Sequence, residues 1–222
     1  ALQNLHMVIC LDRAGLVGED GATHHGVLDL AYLRPVPNLI ISSPLNEWDL
    51  RNLMYTGYKA NTSPFVIRYP RGKGELSDWQ NEMQILPIGK GKKLREGKDI
   101  AILSLGPIGN EVFKAIEEVE KEGLSVAHYD MIYLKPIDED LLHEVGTHFE
   151  HIITVENGVI KGGLGSAVLE FMADHGYRPH VKRIGVPDEF IEHGTIPDLY
   201  KLCGMDAHSI VSEIRRMLGK DN

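Results

Sequence analysis

The chain has 222 residues, 43% of them apolar, with 23 glycines, 11 prolines and a formal charge of −9. That length carries one large domain or two modest ones, and the acidic balance argues against nucleic acid as a general partner. No apolar run reaches the length of a membrane span and no signal-peptide pattern opens the sequence, so the class expected is a soluble, cytoplasmic α/β protein.

The chain opens on "ALQNLHMVICLDR". "ALQNL" reads as the end of a helix and "MVICLD" as a short apolar strand, so the expected start is a cut through a longer protein. Cys10 in that strand reads as a small buried hydrophobe. Then comes "DRAGLVGEDGATHHG" (12–26), a loop much longer than a plain connection needs. "VLDLAYL" reads as a short helix stopped by Pro35 and Pro37, and "NLIISSP" as a buried strand. "NEWDLRNLMYTGYKA" reads as a helix capped by Asn46, with Leu50, Leu53, Met54 and Tyr58 on its inner face. "PFVIRYPRG" is a third strand ending in a polar turn. Continuous apolar strands alternating with helices point to a parallel sheet.

Residues 79–98 are rich in charge and glycine and read as a linker. From Asp99 a second strand–helix alternation begins: "DIAILSLG", "PIGNEVFKAIEEVEKEG", "SVAHYDMIYLKPI", "DEDLLHEVGTHF", "HIITVEN", a glycine loop entering "GSAVLEFMADHG", "HVKRIGVP" and two closing helices. This gives four strands in the second unit. The expected fold class is α/β: two consecutive units, 1–78 and 99–222, with mostly parallel sheets flanked by helices, the first truncated at its amino-terminal side.

Ligands of an open parallel sheet sit beyond the carboxyl ends of its strands. The first unit collects polar groups there: Asp12, Arg13, Asp20, His24 and His25 after the first strand, Ser42, Ser43 and Asn46 after the second, and Arg68, Tyr69 and Arg71 after the third. Arg13 and Arg71 have the fork of donors that grips a phosphate or carboxylate. His24 suits proton exchange near neutrality, and Asp20 could accept a hydroxyl or orient His24. The same residues also read as a solvated polar loop in which Arg13 pairs with a neighbouring acid. Two adjacent histidines without a spaced third ligand are weak evidence for a metal. In the second unit "VENGVIKGGLGSAV" puts Glu156 before glycines that open a helix. Its amides could meet an anion, although close packing or a subunit contact is the favoured reading, and His193 reads as a surface, interface or cleft histidine.

These motifs together resemble one family. "LDRAGLVGEDGATHHGVLDLAYLRPVPNLIISSP" and "LMYTGYKANTSPFVIRYPRG" resemble the pyrimidine-binding domain of the 1-deoxy-D-xylulose-5-phosphate synthases, which are transketolase-like thiamine diphosphate enzymes. "VENGVIKGGLGSAVLEF" and "IGVPDEFIEHGT" resemble their carboxy-terminal domain. The resemblance implies thiamine diphosphate and Mg²⁺ as cofactors, pyruvate and D-glyceraldehyde 3-phosphate as substrates, and an intact enzyme that is a homodimer in isoprenoid and thiamine synthesis. It implies His24 and Asp20 as catalytic residues, Arg13 and Arg71 as holders of the aldehyde's phosphate, and Tyr69 as a substrate neighbour. Against that family the chain lacks the amino-terminal domain that holds the diphosphate and Mg²⁺. It is therefore expected to be inactive alone, with the absent segment or a second copy packed against the truncated sheet. A 2-oxo-acid dehydrogenase β subunit, a plain transketolase or split transketolase subunit, and a non-catalytic module with an inert cleft are the rival readings; "DRAG" and "YPRG" argue against the first.

Overall fold

The computed structural model describes residues 1–60, 63–74, 76 and 78–220. The first unit runs β1 (Val8–Leu11), α1 (Asp29–Leu33), β2 (Ile40–Ser42), α2 (Glu47–Ala60) and β3 (Phe65–Arg68). The second begins β4 (Lys92–Arg95), β5 (Ile100–Leu105), α3 (Gly109–Val119), β6 (Val126–Asp130), β7 (Tyr133–Lys135) and α4 (Glu139–His148). It ends β8 (His151–Val159), α5 (Leu164–Asp174), β9 (His180–Val186), α6 (Ile196–Leu202) and α7 (Ala207–Met217). One sheet has the order β1-β3-β2-β7 and the other β4-β6-β5-β8-β9. Within each, the strands of the strand–helix alternation are parallel, and β7 and β4 are antiparallel additions at an edge.

Both antiparallel strands differ from the sequence reading. β4, "KKLR", lies inside the stretch read as a linker and pairs with β6, so the second sheet has five strands rather than four. Its lysines and arginine suit a sheet edge, where charge blunts further pairing, and for the same reason they hide the strand from a hydrophobic pattern. "YDMIYLKP" holds two strands that serve different sheets. Ile132 stands at φ 54° between them, and its amide donates to Asp130 Oδ1 at 3.2 Å. The chain thereby turns out of the second sheet, and β7 joins the first beside β2, with Ser43 N donating to Ile132 O at 2.8 Å. A left-handed β-branched residue costs on the order of 1–3 kcal/mol. Nothing in its side chain announces that conformation.

The two units share a core. Leu30, Ile41 and Val66 of the first pack in one cluster with Leu103, Tyr129 and Leu164 of the second. On the far side of the second sheet α3 and α7 close another cluster, which also receives Leu16 from the long loop. α2 covers a third, around Leu53, Phe65 and Tyr133. Two expectations are corrected here. Asn46 Oδ1 does cap α2 by accepting from Asp49 N at 3.0 Å, but Met54 and Tyr58 are exposed and the buried face is Asp49, Asn52, Leu53, Thr56 and Gly57. That face is polar because Thr56 Oγ1 accepts from Leu86 N at 2.8 Å and Asn52 Oδ1 from Gln84 N at 2.7 Å, tying the incoming segment to the helix. Cys10 is exposed: α2 packs against Val8 through Gly57 and leaves the far end of this edge strand bare.

Beneath α2 lies a buried acid. Asp130 Oδ2 has no hydrogen-bond partner among the described residues. Burial first, then the Asp49 carboxylate facing it from α2, pushes its carboxyl up to about 7. The Ile132 amide and Lys92 on β4, itself 2.8 Å from Asp49 Oδ1, oppose that rise. Two residues back on β6, His128 bonds Ser104 Oγ at 2.9 Å, and burial pushes its imidazole down to about 3. The two groups act on stability in opposite directions. The folded chain keeps a proton on Asp130 where the unfolded carboxyl, near 3.9, has lost it, so this contribution falls as pH rises from about 4 to 7. It refuses a proton at His128 that the unfolded imidazole, near 6.5, accepts, so that contribution rises from about pH 3 to 6.5. Asp130→Asn removes only the first. Its melting temperature relative to the unmodified chain is expected to climb by roughly several degrees between pH 4 and 7. Thermal denaturation across that range checks this, and a constant offset would contradict it.

Candidate functional site

The strand ends of the first sheet gather the expected polar groups, and the loop 12–26 is shaped to present them. Its glycines Gly15, Gly18 and Gly21 all stand at positive φ. At Gly15 there is also no room for a side chain: an added Cβ would lie 2.2 Å from Asn157 Nδ2. Arg13 itself adopts φ 58°. That backbone is held by its neighbours, with Ala14 N donating to Tyr69 O at 2.9 Å and Gly15 N to Gly26 O at 2.7 Å.

Three of the candidate side chains converge. Asp20 Oδ2 lies 3.3 Å from Arg13 Nη1 and 2.5 Å from Arg71 Nη1, so one carboxylate sits between guanidinium groups from two different loops. The arginine side chains are 43% and 50% exposed, leaving the pair open to an incoming anion. Tyr69 joins the arrangement through its backbone, accepting from Ala14 N and donating to Leu11 O. Its hydroxyl is pushed above its ordinary pKa, by burial first and then by Cys10 and Asp12, so it remains a protonated donor. Tyr69 and Arg71 also border a cavity of about 830 Å³ that runs from Leu45 and Glu47 on the first unit to Lys114 and Tyr200 on the second.

The adjacent histidines part company. His25 Nδ1 accepts from Val17 N at 3.1 Å, which leaves the proton on Nε2, 3.5 Å from Glu192 O. His25 is thus a brace of the loop. His24 is exposed, bonds Thr23 Oγ1 through Nδ1 at 2.9 Å, and makes no hydrogen bond through Nε2 among the described residues. Its ring is on the same loop as Arg13 and Asp20 but does not bond either of them.

Other candidates are structural. Ser42 Oγ donates to Val66 O at 2.9 Å within the core. Arg68 is a clamp: its side chain is 2% exposed, Nε donates to Asp29 Oδ2 at 2.7 Å, and Nη2 donates to Gly26 O at 3.2 Å and Asn157 O at 2.9 Å. In the second unit the first amides of α5 do meet an acid, but it is the chain's own Glu156, which accepts from Leu164 N at 2.8 Å and Gly165 N at 2.9 Å. Burial pushes the Glu156 carboxyl up, and those two amides pull against it. His193 stands beside Gly21, against the long loop.

Asp29 and Asn157 escaped the sequence reading as site residues. A signal for Asp29 existed: an acid inside "VLDLAYL" and an arginine closing "FVIR" are both charges in apolar settings, and buried charges come paired. Among the described residues no group of three or more His, Cys, Asp or Glu is placed to hold a metal ion, and no helix is long and apolar enough to cross a membrane.

Comparison with known proteins places this architecture. Residues 1–75 match the transketolase pyrimidine-binding domain and residues 89–210 the transketolase C-terminal domain. The chain belongs to the transketolase family. Within that family it is similar to 1-deoxy-D-xylulose-5-phosphate synthases. It is 78% identical to that of Parabacteroides distasonis over 216 residues, covering 97% of this chain and 34% of the relative. The Bacteroides thetaiotaomicron relative is 62% identical over 96% of the chain and 33% of its own length, and the Chlorobaculum tepidum relative 43% identical over 96% and 34%. The chain thus spans about a third of the length of the curated relatives it matches. A solved structure described as a split gene transketolase, inactive beta4 tetramer, superposes with a TM-score of 0.84 at 29% identity, covering all of this chain and 69% of that one. This transketolase-like chain uses Arg68 as the tie between its two units. Arg68→Ala leaves Asp29 buried and unpaired and is expected to cost about 3–5 kcal/mol of stability. Arg68→Met with Asp29→Leu is expected to cost less, because no charge is stranded. Denaturant titration of both variants checks the order.

Proposed function

We propose that the chain is the acceptor-binding portion of a 1-deoxy-D-xylulose-5-phosphate synthase (EC 2.2.1.7), which condenses pyruvate with D-glyceraldehyde 3-phosphate and releases carbon dioxide in non-mevalonate isoprenoid synthesis. The observation that carries this reading is the Asp20 carboxylate held between Arg13 and Arg71. Two guanidinium groups that already share an internal anion are matched to a phosphate monoester, whose greater charge and three oxygens compete for the same donors.

In this reading Arg13 and Arg71 hold the phosphate of the aldehyde, Tyr69 borders the bound molecule, and Asp20 is released from the arginines to accept a substrate hydroxyl. His24 Nε2 hydrogen-bonds the aldehyde oxygen. As the new carbon–carbon bond forms at that carbon, the oxygen takes up the proton that His24 supplies, leaving a neutral imidazole and an alcohol. The fixed phosphate orients the reacting carbon, so remote binding contributes to the rate. Thiamine diphosphate and Mg²⁺ are the cofactors of this activity, and among the described residues there is no group of three or more His, Cys, Asp or Glu to hold the cation. The cofactors would be held by the portion that the relatives carry outside the matched third. That portion is the partner we assign to the open edge of β1, which pairs only with β3 among the described residues and has exposed Met7 and Cys10 alongside it. A cytoplasmic homodimer is the assembly this reading implies.

The test uses an enzyme made by joining this chain to the remaining two thirds of the Parabacteroides distasonis relative. Arg71→Ala is expected to raise KM for D-glyceraldehyde 3-phosphate about 10–100-fold, the worth of a charge-assisted contact. KM for pyruvate should stay unchanged. His24→Ala is expected to lower kcat roughly 10²–10⁴-fold. Steady-state kinetics with each substrate varied checks both, and ordinary constants in the two variants would overturn the assignment.

A further inference from the structure

The loop that carries Arg13, Asp20 and His24 follows β1, yet much of its footing is in the second unit. Leu16 is buried in the cluster beneath α3 and α7, among Ile102, Val155 and Ile184. Its amide donates to Asn157 Oδ1 at 3.1 Å. Asn157 Nδ2 donates in turn to Tyr200 Oη at 3.0 Å, which fixes the orientation of the amide, and its backbone oxygen accepts from Arg68 Nη2 at 2.9 Å. Further along the loop, Gly18 O accepts from Gly194 N at 3.4 Å.

The position of this contact matters more than its strength. Arg13 adopts a left-handed backbone, a conformation that costs a non-glycine residue on the order of 1–3 kcal/mol and persists where its surroundings impose it. The three amides that follow it are each pinned: Ala14 by Tyr69 O, Gly15 by Gly26 O, and Leu16 by Asn157 Oδ1. The first two pins come from the first unit. The third is the only one made by a side chain, and it comes from the bulged middle of β8, where the register with β9 shifts between Val155 and Val159. Leu16 also stands between Arg13 and Asp20 in sequence, so its amide, next to the Val17 amide held by His25, is one of the fixed points between them.

We propose that Asn157 is a positioning residue for the anion site. Through the Leu16 amide it holds the loop in the shape that sets Arg13 and Asp20 opposite Arg71, and the second unit thereby sets the anion affinity of the first. The inference rests on reading the arginine pair as a phosphate site, and its test separates the two.

Asn157→Ala leaves the buried Leu16 amide without an acceptor. Asn157→Asp keeps an acceptor oxygen there, and the Tyr200 hydroxyl can turn to donate to it. Hydrogen exchange at Leu16, against Ile102 and Leu103 in β5 as a control of the fold, reports the clamp. Titration with inorganic phosphate, followed through the Nε resonances of Arg13 and Arg71, reports the site. In Asn157→Ala, exchange at Leu16 is expected to rise about tenfold or more, with the β5 amides unchanged, and the phosphate dissociation constant about 5–20-fold. Asn157→Asp is expected to restore both most of the way, a rescue that general loosening of the fold would not produce. Tyr200→Phe removes the acceptor that orients the Asn157 amide; it gives an intermediate effect and carries the test if Asn157→Ala unfolds. Unchanged Leu16 exchange in Asn157→Ala overturns the proposal, as does faster exchange with unchanged phosphate affinity. If phosphate moves neither arginine in the unmodified chain, the phosphate reading itself fails, and the exchange data alone then decide whether Asn157 holds the loop.

Discussion

The guanidinium of Arg68 is the interaction on which the arrangement depends. It leaves the carboxyl end of β3 and reaches α1 through Asp29, the end of the long loop through Gly26 O, and β8 through Asn157 O. An ion pair this buried is weak evidence of net stability, because desolvating two charges offsets most of their attraction. What it supplies here is donors. The carbonyls of Gly26 and Asn157 would otherwise lie in the interior with fewer partners, and an apolar replacement could not satisfy them. One planar group with five N–H bonds meets a carboxylate and two carbonyls at once, which a lysine ammonium would do with less geometric definition. The orientation of the two sheets and the course of the loop are thereby fixed at the same atom.

From that clamp follows the architecture of the site. Arg13 and Asp20 are on a loop whose start, Ala14, is tied to the first sheet and whose middle, Leu16, is tied to the second. Arg71 extends from the turn after β3, three residues beyond the clamp itself. Both arginines belong to the first unit, and Arg71 borders the cavity that second-unit residues also line. His25 belongs to the same scaffold, since its ring accepts from the backbone at Val17. The neighbouring His24 makes no hydrogen bond through Nε2 among the described residues, and so a doubled histidine resolves into one brace and one exposed ring.

Much of the fold was legible in the sequence because its strands are apolar runs bounded by glycine, proline and capping residues. "FVIR", "AILSL" and "HIITVEN" fall where the pattern puts them, and Asn46 caps α2 as its residue type suggests. Tertiary context decided the remainder. β4 is charged because it is an edge, and β7 exists because Ile132 is held in a conformation its side chain disfavours. Met54 and Tyr58 satisfy the helical period, yet they lie outside because the inward face of α2 is occupied by Asn52 and Thr56, which anchor an incoming segment. A hydrophobic count cannot see a helix face whose task is to satisfy backbone amides.

The site divides along the same line. The convergence of Arg13, Asp20 and Arg71 was legible because their chemistry is local to side-chain type and the strand order brings their loops together. Arg68 was legible only as one more arginine at a strand end, and what removes it from ligand binding is the buried acid opposite, 39 residues earlier in the chain. Glu156 shows the same principle inverted: the amides at the start of α5 look available to a ligand until a carboxylate from the preceding strand is seen to fill them. In both cases a group suited to an external ion has been matched with an internal one and buried. Asp20 is the contrasting case, since its internal pairing with two arginines is half-exposed to solvent. An internal anion beside solvent is open to exchange for a ligand, whereas the same pairing sealed in the core is a structural joint. That difference in exposure, more than residue type, separates the charges proposed to hold a phosphate from those that hold the chain together.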